Sequence, residues 1–175
     1  TPRESLQARP KSRGCIDEAA PTSITLATGE SFDVLANMAV VNGVPLMDWR
    51  AFHDWQSALA SDVSRQQATD LGKRAWLLHM RDAIGEPYEL YGSDQTYVLA
   101  ATDPAVVEAT TRFIAKTRER IARVLPDLAN FQAHDKSVLL MLDSEDTYYH
   151  YTTTYYPDEG EFALSSGMFI PGGCA

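Results

Sequence analysis

The sequence contains no run of about 18 apolar residues, so it holds no stretch suited to a membrane-spanning helix. Basic residues are scarce: 15 Lys and Arg stand against 24 Asp and Glu, a net charge of −9. That balance excludes sequence-independent nucleic-acid binding, which depends on neutralising phosphates, and leaves room for a basic peptide or protein partner. Cysteine is nearly absent. Cys15 and Cys174 sit near opposite ends. In an exported protein such a pair could close one long disulfide loop, but two cysteines are also what a reduced cytosolic protein carries by chance. The chain opens at Thr1 with no signal-like apolar segment, as expected of a mature or cloned piece whose targeting segment, if it had one, is gone. The compartment stays open between the cytosol and an exported location, with export favoured.

Motifs that carry chemistry are missing as well. The four histidines, His53, His79, His134 and His150, are too far apart for a helical metal pair at i and i+4, and neither H-E-x-x-H nor C-x-x-C occurs. His150 follows Asp146 by four residues, a spacing that more often gives a surface hydrogen bond than a ligand pair. His53 and His79 lie near tryptophans in helical stretches, where packing is the simpler role. Ser165-Ser166-Gly167 lacks the G-x-S-x-G frame of a nucleophile elbow. Pro171-Gly172-Gly173 has neither the setting nor the lysine of a phosphate loop. Asp143, Glu145 and Asp146 have the chemistry for acid–base work, but acids gather at helix amino termini for dipole reasons alone. No catalytic residue and no metal ligand is assigned within this chain.

What is present is an ordinary globular composition, 45% apolar and 22% charged over 175 residues, enough for one domain with a substantial core. Residues 1–20 hold almost no large apolar side chains and read as a flexible leader, leaving residues 21–175 as a single globular domain. Residues 23–44 are β-prone, with Asn42-Gly43 as a hairpin turn. From Pro45 the pattern becomes helical, with Trp49, Phe52, Leu59 and Val63 on one face. A second helix spans about residues 66–84 through Leu71, Ala75 and Leu78, and Gly85 stops it.

The clearest unit follows. Residues 96–101 form a strand, and Asp103-Pro104 caps and starts a helix over 104–125. Its apolar side is expected at Val106, Thr110, Phe113, Thr117, Ile121 and Val124. Pro126 ends it, and the apolar run at 137–142 is expected as a strand buried on both faces. Strand, helix and strand in this order predict a βαβ crossover with parallel strands. The fold class is therefore α/β or α+β, a mixed sheet with flanking helices. A last strand at 161–170 is expected at the sheet edge, with Gly167 marking a bulge or a close approach of another backbone. Ser144-Glu145-Asp146-Thr147 begins a tyrosine-rich stretch in which Tyr148, Tyr151 and Tyr155 share one helical face. Their apolar bodies and polar tips suit peptide or carbohydrate contact, and the same stripe suits core packing.

In order of elements, residues 78–169 resemble the region just ahead of the catalytic helix in bacterial gluzincin-type zinc metallopeptidases of the peptidase-MA-like group. The matching features are Ile84-Gly85-Glu86-Pro87-Tyr88, the strand at 96–101, the Asp103-Pro104 helix closing at Leu125-Pro126 and the strand at 137–142. They continue with Asp143-Ser144-Glu145-Asp146-Thr147-Tyr148 and Ser166-Gly167-Met168-Phe169. The resemblance implies that the last strand binds substrate backbone by strand addition, which makes Gly167, Met168 and Phe169 the substrate-binding residues. It also implies that the H-E-x-x-H helix and its zinc lie beyond Ala175, so zinc is expected only with that downstream segment. The chain would then be the non-catalytic, substrate-flanking amino-terminal part of a longer hydrolase. The alternative is a stand-alone protein- or glycan-binding module whose acidic surface and Tyr148, Tyr151 and Tyr155 meet a partner.

Overall fold

The computed structural model describes residues 14–126 and 136–155. Within them four helices accompany strands paired in both senses, an α/β or α+β arrangement as expected. Two small hairpins come first. Strand β1 (Ser23–Thr25) pairs antiparallel with β2 (Ser31–Asp33), setting Ile24 opposite Phe32, both buried. Strand β3 (Met38–Val41) pairs antiparallel with β4 (Val44–Met47). The turn between them places Asn42 at φ 51° and Gly43 at φ 80°, the two left-handed residues that a two-residue hairpin needs and that Asn-Gly supplies.

The helical pattern begins later than Pro45, which lies in β4. Helix α1 (Trp49–Ser57) starts where the Asp48 side chain accepts from the Ala51 N–H at 2.9 Å. Trp49 and Phe52 point inward, as their spacing predicts. The expected single stripe through Val63 breaks, because the chain leaves the helix at Ala58 and Ser61 caps a second one, α2 (Asp62–Ile84), by accepting from the Ser64 N–H. Leu59 is buried in the connection, and Val63 is left exposed on the first turn of α2. Helix α2 ends at Gly85, whose φ of 85° suits a residue without a side chain.

The main sheet runs in the order β5 (Glu89–Gly92), β6 (Thr96–Ala100), β7 (Ser137–Met141). β5 and β6 are antiparallel, β6 and β7 parallel, and helix α3 (Pro104–Val124) connects the parallel pair. This is the βαβ unit expected over 96–142. Every residue of β6 is buried, because it is the central strand with α2 and α3 packed nearby. β7 differs from expectation: Val138, Leu139, Leu140 and Met141 are only half-buried. Its apolar run reflects an outer strand of the described sheet with partial cover on each face.

Helix α3 departs from expectation in phase. Asp103 caps it and Pro104 begins it, as predicted, but the side turned to the sheet runs through Val107, Thr111, Ile114, Arg118 and Ala122. Val107 alone is fully buried, against Tyr91, Val98 and Ala100. One residue is about 100° around a helix, so this shift leaves Val106, Phe113, Ile121 and Val124 facing outward. Periodicity identified an apolar line but not which of two lines the sheet would take.

Part of the expected leader is also held. The Ile16 N–H donates to the Leu90 carbonyl and the Gly92 N–H to the Gly14 carbonyl, running residues 14–16 along the outer edge of β5. Arg81 adds bonds to the Ile16 and Glu18 carbonyls. These backbone contacts, which composition does not register, offset the scarcity of large apolar side chains there. The core lies between α1, α2, the two hairpins and one face of the main sheet, centred on Phe32, Phe52, Trp49 and Trp76. Helix α4 (Glu145–Tyr155) follows β7 and packs against β4.

Candidate functional site

Helix α4 begins where Ser144 accepts from the Thr147 N–H at 3.1 Å, the start that Ser-Glu-Asp-Thr predicts. This brings Tyr148, Tyr151 and Tyr155 onto a half-buried side of the helix. Tyr151 and Tyr155 stack with centroids 4.6 Å apart, and Tyr155 meets the Trp76 ring edge-on at 6.0 Å. The Trp76 indole N–H donates to the Tyr155 hydroxyl at 2.7 Å, and that hydroxyl donates to the Pro45 carbonyl. Tyr155 thus ties α4 to α2 and β4, and Tyr151 packs on the same core. Tyr148 differs: its hydroxyl is enclosed and has no hydrogen-bond partner among the described residues.

Gly167, Met168 and Phe169, with the whole expected strand at 161–170, lie outside the described residues. What the structure does place is the neighbourhood ahead of them. β7 is the last strand of the described sheet, and among the described residues nothing pairs with its outer edge.

Two polar clusters flank β7. At its amino-terminal end the Tyr97 hydroxyl donates to Asp70 Oδ1 at 2.9 Å. Lys136 Nζ donates to the Tyr97 hydroxyl at 3.2 Å, pairs with Asp70 Oδ1 at 3.1 Å and sits 4.5 Å from the Tyr97 ring centre. Burial first, then the Asp70 carboxylate, raises the Tyr97 pKa against the opposing pull of Lys136. Burial would lower Lys136, but its bonds to Tyr97 and Asp70 outweigh that and raise it. A tyrosine that keeps its proton beside a lysine that keeps its charge is a lock between α2 and the two strands. It is not a poised base, which would need a pKa near the working pH. At the other end of β7, Tyr88 bonds both the carboxylate and the backbone N–H of Asp143.

Sequence reasoning gave no site role to Tyr88, which it named only within the 84–88 match, or to Tyr97, Asp70 or Lys136. The readable signal was Tyr97 within the strand pattern at 96–101, whose buried hydroxyl calls for a partner. The partners come from elements distant in sequence.

Of the four histidines, His53, His79 and His150 are placed, and His134 lies outside the described residues. His79 Nε2 donates to the Pro21 carbonyl at 2.9 Å and His150 Nε2 donates to the Asn42 carbonyl at 2.8 Å. His53 is exposed on α1, edge-on to Phe52, where packing was expected. Among the described residues no group of three or more His, Cys, Asp and Glu side chains is arranged to hold a metal ion. A shallow groove between α1 and α2 is lined by Gln56, Asp62, Arg65, Gln66 and Thr69. Its polar groups already bond one another, Gln56 to Thr69 and Arg65 to Asp62. Among the described residues no helix is long and apolar enough to cross a membrane. Comparison of the chain with protein-family models, with curated proteins and with solved structures finds no match.

Proposed function

We propose that this chain is the non-catalytic, substrate-flanking part of a zinc-metallopeptidase-like protein, offering a sheet edge to peptide backbone. The observation that carries this reading is the outer edge of β7, which has no strand partner among the described residues. An open edge presents backbone N–H and C=O groups at strand spacing, and an extended peptide or an added strand completes them. The order β6, α3, β7 supports it too, since these are the strand, helix and strand on which the resemblance rests. In this reading Gly167, Met168 and Phe169 meet the peptide, and zinc belongs to a downstream H-E-x-x-H helix whose glutamate acts as general base. The test is the gene beyond codon 175 and the zinc content of its full product. An H-E-x-x-H helix within several tens of residues, with one zinc per chain, is the expected result. A stop codon directly after Ala175 would overturn it.

A second reading, a protein- or glycan-binding module, draws on Tyr148. An enclosed hydroxyl without a partner among the described residues costs free energy, and a ligand group that bonds it, once docking opens a way to it, would recover that cost. In this case Tyr148→Phe would abolish binding to an immobilised glycan or peptide panel and leave folding intact. Unchanged binding by the variant would remove the reading.

A further inference from the structure

We propose that the outward face of α3 docks an acidic amphipathic helix of another protein, an interface separate from the β7 edge. The face is built at helix-seam spacing: Val106, Thr110, Phe113, Thr117 and Val124 recur at intervals of three and four or their sum. Phe113 at its centre is 68% exposed, Val124 69% and Val106 45%. The sheet takes the side of the helix that runs through Val107, about 100° round from this line, and nothing among the described residues covers Val106, Phe113 or Val124.

Charge identifies the occupant. Helix α3 carries five basic residues, Arg112, Lys116, Arg118, Arg120 and Arg123, against Glu108 and Glu119, a net of +3 in a chain whose total is −9. Everything else therefore sums to −12, and α3 is the basic element of an acidic molecule. Arg118 is spent on the inner side, bonding the Gln95 carbonyl and Ser137 Oγ. Arg112 pairs with Glu108 at 3.4 Å. Lys116, Arg120 and Arg123 are exposed along the apolar line, and no carboxylate among the described residues pairs with them. Three cations unpaired among the described residues, beside an exposed aromatic anchor, fit a helix with acidic flanks and an apolar seam.

Two other occupants fit less well. A second α3 laid antiparallel, Val106 on Val124 and Phe113 on Thr117, would bring Lys116 beside its own copy across the two-fold axis. An anionic membrane would repel the remaining charge, and an interfacial helix needs a broader apolar face than three large residues over five turns provide.

The test uses the full chain and two synthetic peptides of about three heptads, both with Leu at the a and d positions. One carries Glu at e and g and the other Lys, and binding is read by fluorescence anisotropy at two salt concentrations. The Glu peptide should bind at least about tenfold tighter, a difference of about 1.4 kcal/mol, and weaken with salt. Phe113→Ser should cut that binding by about tenfold. The triple variant Lys116→Glu, Arg120→Glu, Arg123→Glu should bind the Lys peptide instead, an inverted preference that a misfolded chain would not show. Failure to bind either peptide, or equal binding of both, would overturn the proposal. So would tighter binding to phosphatidylserine vesicles than to the Glu peptide, or a dimer in sedimentation that Phe113→Ser dissociates.

Discussion

The Tyr88 hydroxyl donates to Asp143 Oδ1 at 2.7 Å and accepts from the Asp143 backbone N–H at 2.9 Å. One side chain ahead of β5 thereby fixes both the backbone and the carboxylate at the junction of β7 and α4, and Thr147 Oγ1 adds a bond to the same carboxylate oxygen. The arrangement joins the antiparallel and parallel halves of the sheet at the end where α4 departs.

Burial, and then the bond to Asp143, pushes the Tyr88 pKa up to about 12. The folded state thus favours the protonated phenol. Its contribution is complete below the unfolded tyrosine pKa of about 10 and is lost as pH rises through about 12. Urea unfolding midpoints should fall across that alkaline window, by no more than about 3 kcal/mol of stability. In Tyr88→Phe this part of the fall should vanish. Absorbance titration near 295 nm should show one tyrosine fewer ionising late. Equal alkaline slopes for the two proteins would show that Tyr88 is not the group responsible. Asp143 has the opposite sign: the Tyr88 hydroxyl, with Thr147, lowers its pKa. Its contribution is present above the ordinary carboxylate range and fades as pH falls through the folded value.

A second prediction concerns Tyr155. The Trp76 indole is 3% exposed and donates to the Tyr155 hydroxyl. Tyr155→Phe leaves that buried N–H without this acceptor, a loss of about 1–3 kcal/mol in urea unfolding. Tyr149→Phe on the same helix removes a hydroxyl that has no partner among the described residues, and should change stability by less than about 0.5 kcal/mol. If both variants behave alike, Tyr155 does not fasten α4 through this bond.

The parts of the fold legible in sequence were those written in local chemistry. Asn42-Gly43 specified a hairpin through two left-handed residues, Asp103-Pro104 specified a helix start, and Gly85 specified a stop. The crossover followed because strand, long helix and strand in succession have few compact solutions. Side chains that face two ways were not legible. Val106 and Val107 are adjacent valines, and only the sheet decides which is buried. Val63 looked continuous with Phe52 because the break at Ala58-Leu59-Ala60 contains neither Gly nor Pro. For the candidate site, the stripe Tyr148, Tyr151 and Tyr155 was readable as a helical face. Its contacts, Pro45 and Trp76, lie 110 and 79 residues away from Tyr155, and nothing local announces them.

Zinc gives a third prediction. His79 and His150 each spend Nε2 on a carbonyl, and the described residues assemble no set of three metal-ligating side chains. Tetrahedral sites need three or four such ligands converging within about 2.0–2.3 Å of the ion. The isolated chain, washed with chelator and dialysed against micromolar zinc, should retain well under one equivalent by elemental analysis. One tightly held zinc per chain would require ligands from segments beyond those described and would revise the assignment of zinc to a downstream helix.

The last prediction sets two opposing effects against each other at Gly72. This residue lies in the interior of α2, where alanine is ordinarily better by about 1 kcal/mol. A Cβ at Gly72 would lie 2.5 Å from Phe52 Cζ and 2.8 Å from Cε2. The ring has little freedom to retreat, since Phe32, Trp49 and Trp55 surround it at centroid distances of 5.3, 5.6 and 5.5 Å. Phe52 is 2% exposed, so no rotation toward solvent relieves the clash without opening the α1–α2 contact. Overpacking of this kind costs about 1–3 kcal/mol and more when neighbours cannot shift. Gly72→Ala should therefore destabilise the protein by about 1–2 kcal/mol after its helical gain. Phe52→Leu alone should also destabilise, through the cavity it leaves. The double variant should be more stable than the sum of the two losses predicts, because the methyl enters space the ring has vacated. Additive losses, or a single Gly72→Ala variant that unfolds at higher urea than the parent, would show that the ring does not hold this position for glycine.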